Sequence, residues 1–177
     1  MIDSSLLNVD KPARYMGGEV GIIRKDSPEI RFVLAFPDVY EIGMSHLGFQ
    51  ILYTILNSHD WLAAERVYTP WTDRQAQLEE GGKLLCTLES AVPLADADII
   101  GFTLQHELSY TNIVNMLSMA AVPVLAAERH DPWPLVIGGG PCAYNPEPLA
   151  DFFDAFLIGD GEEAALEIAM LCRALKK

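Results

Sequence analysis

Positive charge is scarce in this chain. Lys and Arg total 12 of 177 residues, against 25 Asp and Glu, for a formal net charge of −13. Nonspecific nucleic-acid binding needs a Lys/Arg surface to neutralise phosphates, so that class is disfavoured. An anionic membrane surface is disfavoured for the same reason. No apolar run reaches the ~18 residues of a membrane span. The N-terminus lacks the basic-then-apolar order of a secretion signal. Cysteine is scarce too. Cys86, Cys142 and Cys172 are far apart and odd in number. They read as reduced thiols of a cytoplasmic protein. CxxC and CxxxCxxC are absent, and so are GxxxxGK(S/T), GxSxG and HExxH. The motifs therefore imply no cysteine-rich metal site, phosphate loop, nucleophile elbow or zincin site, and the isolated chain is expected to be catalytically inactive.

Apolar residues make up 50% of the sequence, which is ample for a core. Residues 1–28 are turn-rich and weakly periodic, and read as an N-terminal arm with one short strand at Glu19 to Ile23. From residue 29 to 177 strand and helix signals alternate. Strands are predicted at Ile30 to Phe36, Glu65 to Tyr68, Asp98 to Leu104, Leu135 to Ile137 and Phe153 to Ile158, with a minor one at Leu84 to Leu88. Helices are predicted at Met44 to Asn57, Thr72 to Glu80 with Thr72 as N-cap, Tyr110 to Ala120, Pro146 to Asp151 and Glu162 to Lys176. The strands are short, apolar and not alternating, as in a parallel sheet buried on both faces. Five such units predict a doubly wound, Rossmann-like three-layer α/β sandwich with flavodoxin-like order 2-1-3-4-5.

In that architecture ligands bind beyond the carboxyl ends of the strands. Three loops there are candidates. The first runs from Asp38 through Tyr40, Gly43, Ser45 and His46 to Gly48. It reads as functional as a whole, although His46 alone reads as a capping or packing residue. The second is Thr103-Leu104-Gln105, followed by His106. Its plain alternative is a helix start capped by Ser109 with His106 exposed. The third is Gly138-Gly139-Gly140. Three glycines cost backbone entropy, which suits close approach of a ligand, against a tight turn as the alternative. A fourth loop, Gly159-Asp160-Gly161-Glu162-Glu163-Ala164, matches G-x-G-x-x-A formally. Its acids would repel a pyrophosphate, while they suit a helix N-terminus, and no later strand supplies a ribose-binding acid. It reads as a helix start.

Asp38-x-Tyr40-x-x-Gly43 resembles the Asp-x-His-x-x-Gly loop of the cobalamin-binding fold, with Tyr40 in place of the cobalt-ligating His. Thr103 matches the small hydroxyl residue of that fold's Ser-x-Leu segment, with Gln105 where the pattern wants Leu, and Gly138-Gly139 match its Gly-Gly. Ala35 to Gly48, Gly101 to Asn115, Val136 to Ala143 and Ile158 to Glu163 together resemble the N-terminal region of bacterial radical S-adenosylmethionine (SAM) proteins with a cobalamin-binding-like domain. The resemblance spans about residues 15–172. It implies an accessory domain that precedes a radical SAM barrel in cis. The barrel, with its S-adenosylmethionine and 4Fe-4S cluster, would belong to a longer protein. It implies a site at Asp38, Tyr40, Gly43, Ser45, His46, Gly48, Thr103, Leu104, Gln105 and Gly138 to Gly140. That site would bind cobalamin without a protein His ligand or dock the barrel. The alternative is a cofactor-free interaction module that keeps the fold.

Overall fold

The computed structural model describes residues 4–176. Residues 1–3 of the arm and Lys177 lie outside the described residues. The element order is β1 (Ile30–Phe36), α1 (Tyr40–Gly43), α2 (Leu47–Asn57), β2 (Leu62–Tyr68), α3 (Thr72–Gly81), β3 (Ile99–Thr103), α4 (Tyr110–Met119), β4 (Leu135–Gly139), β5 (Ala155–Leu157) and α5 (Gly161–Leu175). The five strands form one all-parallel sheet in the order β2-β1-β3-β4-β5. This is the expected doubly wound α/β fold. β1 and β3 are adjacent, with Phe32 beside Ile99 and Ala35 beside Phe102.

Strands β1 to β4 are largely buried on both sides because their residues feed two cores in turn, whereas β5, at the end of the sheet, is partly exposed. Ile30, Phe32, Leu34 and Phe36 pack with Phe49, Tyr53 and Leu56 of α2 and with Ala165 and Ala169 of α5. Val33, Ala35, Ile100, Phe102 and Val136 pack on the other face with Ile113, Met116 and Leu117 of α4. Fully burying one such side chain contributes about 1.5–3 kcal/mol. Two apolar faces per strand therefore fix both register and layer order.

Local expectations needed correction at five places. Glu19 to Ile23 is not a strand: a turn at Val20 and Gly21 interrupts it, with Gly21 at φ +87°. The helix expected from Met44 is broken. α1 closes with the Met44 N–H donating to Tyr40 O (2.8 Å), and α2 restarts at Leu47 with His46 as N-cap. Gln50 Nε2 donates to Met44 O (2.6 Å), satisfying a carbonyl left over at the break. Trp71, not Thr72, holds the N-cap position of α3, and it makes no side-chain cap. Leu84 to Leu88 forms an isolated bridge, Cys86 with Pro93, in place of a strand. Pro146 to Asp151 contains only a 3-10 turn, Glu147–Leu149, in a segment carrying two prolines.

Candidate functional site

The parallel sheet puts the ends of β1, β3 and β4 on one edge, so the three candidate loops share that edge. Two of them touch closely. The Leu104 N–H donates to Gly139 O (2.7 Å), and the Cys142 N–H donates to Leu104 O (2.9 Å). Gln105 Nε2 donates to Thr103 Oγ1 (2.6 Å). The β1 loop is tied in from the side, with Asn112 Nδ2 of α4 donating to Pro37 O (2.9 Å).

The glycines of these loops are largely explained by the chain itself. A Cβ on Gly138 would lie 2.9 Å from Leu104 Cδ1 and 3.1 Å from Phe153. Gly140 has φ +106° and backs onto Leu104, whose carbonyl would be 3.2 Å from a Cβ there. Gly139 is the least crowded of the three, with Leu157 O at 3.8 Å. A Cβ on Gly43 would meet the Tyr68 ring at 2.6 Å and Phe36 at 2.7 Å. Only glycine lets α1 lie that close to the sheet.

Tyr40 turns towards β2, away from the β3–β4 cluster. Its ring meets Tyr68 edge-on, with centroids 5.3 Å apart. Burial, with the Glu19 carboxylate nearby, pushes its phenol up to about 12. His46 Nδ1 accepts from the Phe49 N–H (3.2 Å), and the His46 ring lies 5.5 Å from Phe36. His46 is thus the cap and packing residue that its plain reading anticipated. Gly48 lies exposed beside it, and a Cβ there would stand 3.4 Å from the His46 ring, an ordinary contact. Ser45 is exposed and donates to Ile42 O (3.3 Å), and Asp38 Oδ1 accepts from the Val39 N–H (2.7 Å). Ser109 does not cap α4: its hydroxyl donates to His106 O (2.8 Å). His106 is exposed.

These residues do not fit a corrinoid held through its cobalt. The phenol at the motif's third position stays protonated at neutral pH and packs on another tyrosine. The neighbouring imidazole spends a nitrogen on a helix cap. Among the described residues, no group of three or more His, Cys, Asp or Glu could hold a metal ion. No helix among them is long and apolar enough to cross a membrane.

Motif reading missed a different property of this edge. Each loop leaving a strand's carboxyl end presents a large exposed apolar side chain: Ile42 and Leu47 after β1, Trp71 after β2, Leu108 after β3, Tyr144 after β4 and Ile158 after β5. Leu108 is 90% exposed and Tyr144 72%. Other exposed apolar residues are scattered over the surface, which is ordinary. Recurrence on every loop of one edge is not. The available signal was an apolar residue inside an otherwise polar loop, as Leu108 is between Glu107 and Ser109.

One similar protein is an uncharacterized protein of Methanocaldococcus jannaschii, 29% identical over 87 residues. The match covers 49% of this chain and 18% of that protein's length. The family model described as radical SAM proteins, N-terminal, matches residues 48–177. That stretch contains four of the five strands and the loops at Thr103 to Gln105 and Gly138 to Gly140. The chain belongs to the family of N-terminal domains of radical SAM proteins.

Proposed function

We propose that this domain is a cofactor-free docking module for a radical SAM catalytic barrel in cis, and that the carboxyl edge of its sheet is the docking face. The apolar residue presented by all five carboxyl-edge loops carries the reading. Exposed apolar groups that recur along one face are what a protein interface uses for its buried centre. The packing of Gly138, Gly140, Tyr40 and His46 supports it from the other side, because those residues serve the domain's own structure.

The experiment has two arms. In a full-length protein carrying this domain, Leu108→Asp with Tyr144→Asp should free the domain from the barrel. Limited proteolysis between the two modules would then speed up by about tenfold or more, with the isolated domain's melting temperature unchanged. Unchanged cleavage would sink the docking face. In the second arm the chain is mixed with cobalamin and passed through gel filtration. Corrin absorbance migrating with the protein at micromolar concentration would replace this reading by a corrinoid carrier lacking a protein imidazole ligand.

A further inference from the structure

The free edge of β2 is roofed by the N-terminal arm and by the segment 83–93. The Leu88 N–H donates to Arg66 O (2.8 Å) along that edge. Gly17 of the arm lies so close that a Cβ there would be 2.1 Å from Leu88 O. Between the arm, the end of β2, the start of α3 and segment 83–93 lies a cavity of about 910 Å³. Sites for small organic molecules run at ~300–1,000 Å³.

Three features of its lining point to one class of ligand. Tyr68 lines it, is 7% exposed, and has a buried hydroxyl without a hydrogen-bond partner among the described residues. A buried hydroxyl left unpaired is destabilising, so an acceptor oxygen would be stabilising there. Arg14, Arg24, Arg74 and Lys83 line the same cavity. Arg14 is paired with Glu41 (2.9 Å), Arg74 bonds Ser5 Oγ (2.9 Å) and Lys83 is also engaged, so Arg24 is the anchoring cation. Of its two acidic lining residues, Asp26 and Glu89, Glu89 is held by Arg66 at 2.6 Å. Arg24 donates to the Gly17 carbonyl (2.8 Å), a neutral partner. The rings of Tyr15 and Tyr40 complete the wall. Aromatic walls suit a flat apolar body, and guanidinium groups suit carboxylate or phosphate.

We propose that this cavity binds an organic anion with a flat apolar body, its anionic group at Arg24 and an acceptor oxygen on the Tyr68 hydroxyl. The cavity adjoins the carboxyl edge at the ends of β1 and β2, where Tyr40 and Thr69 line it. Arg24 and Tyr68 are not among the exposed apolar residues of the docking face, so the two proposals stand apart.

The test is a fluorescence titration with 8-anilinonaphthalene-1-sulfonate, a flat apolar anion. Saturable enhancement at one site is expected at micromolar dye. Arg24→Glu, an exposed position, should weaken it by about tenfold or more, and Tyr68→Phe by roughly three- to tenfold. Tyr68→Phe loses no internal hydrogen bond, so the variant should stay folded, checked by its melting temperature. Displacement by adenosine monophosphate would mark a phosphate ligand, and displacement by 4-hydroxybenzoate a carboxylate one. Absence of enhancement, displacement by neither compound, indifference to both substitutions, or loss of the signal in Leu108→Ser would each overturn the proposal.

Discussion

The two edges of this sheet that carry interest are built by opposite means. At the carboxyl edge, loops are pinned by their own backbone, as where Cys142 and Gly139 bond to Leu104, and they push apolar side chains outwards. At the free edge of β2 the polar side chains are engaged inwards. Arg66 holds Glu89 (2.6 Å) and Glu19 (2.8 Å) and stacks over the Tyr53 ring at 4.7 Å. Lys25 Nζ donates to three carbonyls, those of Asn57, His59 and Leu62. One surface is prepared for something that is not in the domain. The other is a strap whose ion pairs keep the arm in place and the cavity open. The difference teaches that exposed apolar residues and buried charges carry different kinds of evidence. The first points to a partner. The second points to conformational specificity.

The largest expected effect breaks the strap. Glu89→Ala removes the buried partner of the Arg66 guanidinium and leaves it only the partly exposed Glu19, and should cost about 3 kcal/mol in urea unfolding. Burial works against that guanidinium's charge, and Glu89 more than offsets it, so its pKa is raised. Leu108→Ser at the other edge should change stability by less than about 0.5 kcal/mol. Equal effects at both sites would erase the contrast.

Gly17→Ala comes next. Gly17 has φ +55°, which other residues seldom adopt, and a Cβ there would strike Leu88 O. A loss of about 1–3 kcal/mol is expected, together with faster hydrogen exchange at the Leu88 amide. Unchanged exchange would show that the arm does not depend on this contact.

A smaller effect sharpens the carboxyl edge. Asn112→Ala removes the bond to Pro37 O and should cost about 1 kcal/mol. Protease sensitivity should rise in residues 37–48 and not in the arm. Sensitivity appearing in the arm instead would mean that the two edges are coupled.

The smallest effect is electrostatic. Glu41 links α1 to the arm through Lys11 (3.1 Å) and Arg14 (2.9 Å). Slight burial works to raise its carboxyl, but hydrogen bonding to its own backbone, Arg14 and Lys11 more than offset this, lowering it from an ordinary 4.5 to about 2. Folded Glu41 therefore holds its proton less tightly than the unfolded chain does. Its contribution is present above pH 4.5 and fades as pH falls towards 2. The pair is exposed, so the contribution should stay under about 1 kcal/mol. The stability difference between the wild-type chain and Glu41→Gln should shrink over that window. A difference constant with pH would rule out this pair.

Much of the architecture was legible in the sequence. Apolar runs such as Ile30 to Phe36 and Asp98 to Leu104 read as strands buried on two faces, and with the flavodoxin-like order they placed β1 and β3 side by side. The candidate residues were legible as loops, less so as neighbours. Thr103 to Gln105 and Gly138 to Gly140 do meet. Tyr40 leaves that group for Tyr68, a residue 28 positions further along. The cavity was not legible, since Arg14, Arg24 and Tyr68 share no local pattern.

The sequence by itself determined the five strands, their parallel order and the edge on which the loops gather. Hydrophobic periodicity and chain connectivity are properties of short stretches, and they suffice for those features. Only the tertiary structure decided what each polar or glycine residue is for. His46 caps α2, Gly43 admits Tyr68, and Glu89 reaches Arg66 across 23 residues. Those pairings depend on strand register and on an arm folding back over β2, where distant segments compete for the same few contacts.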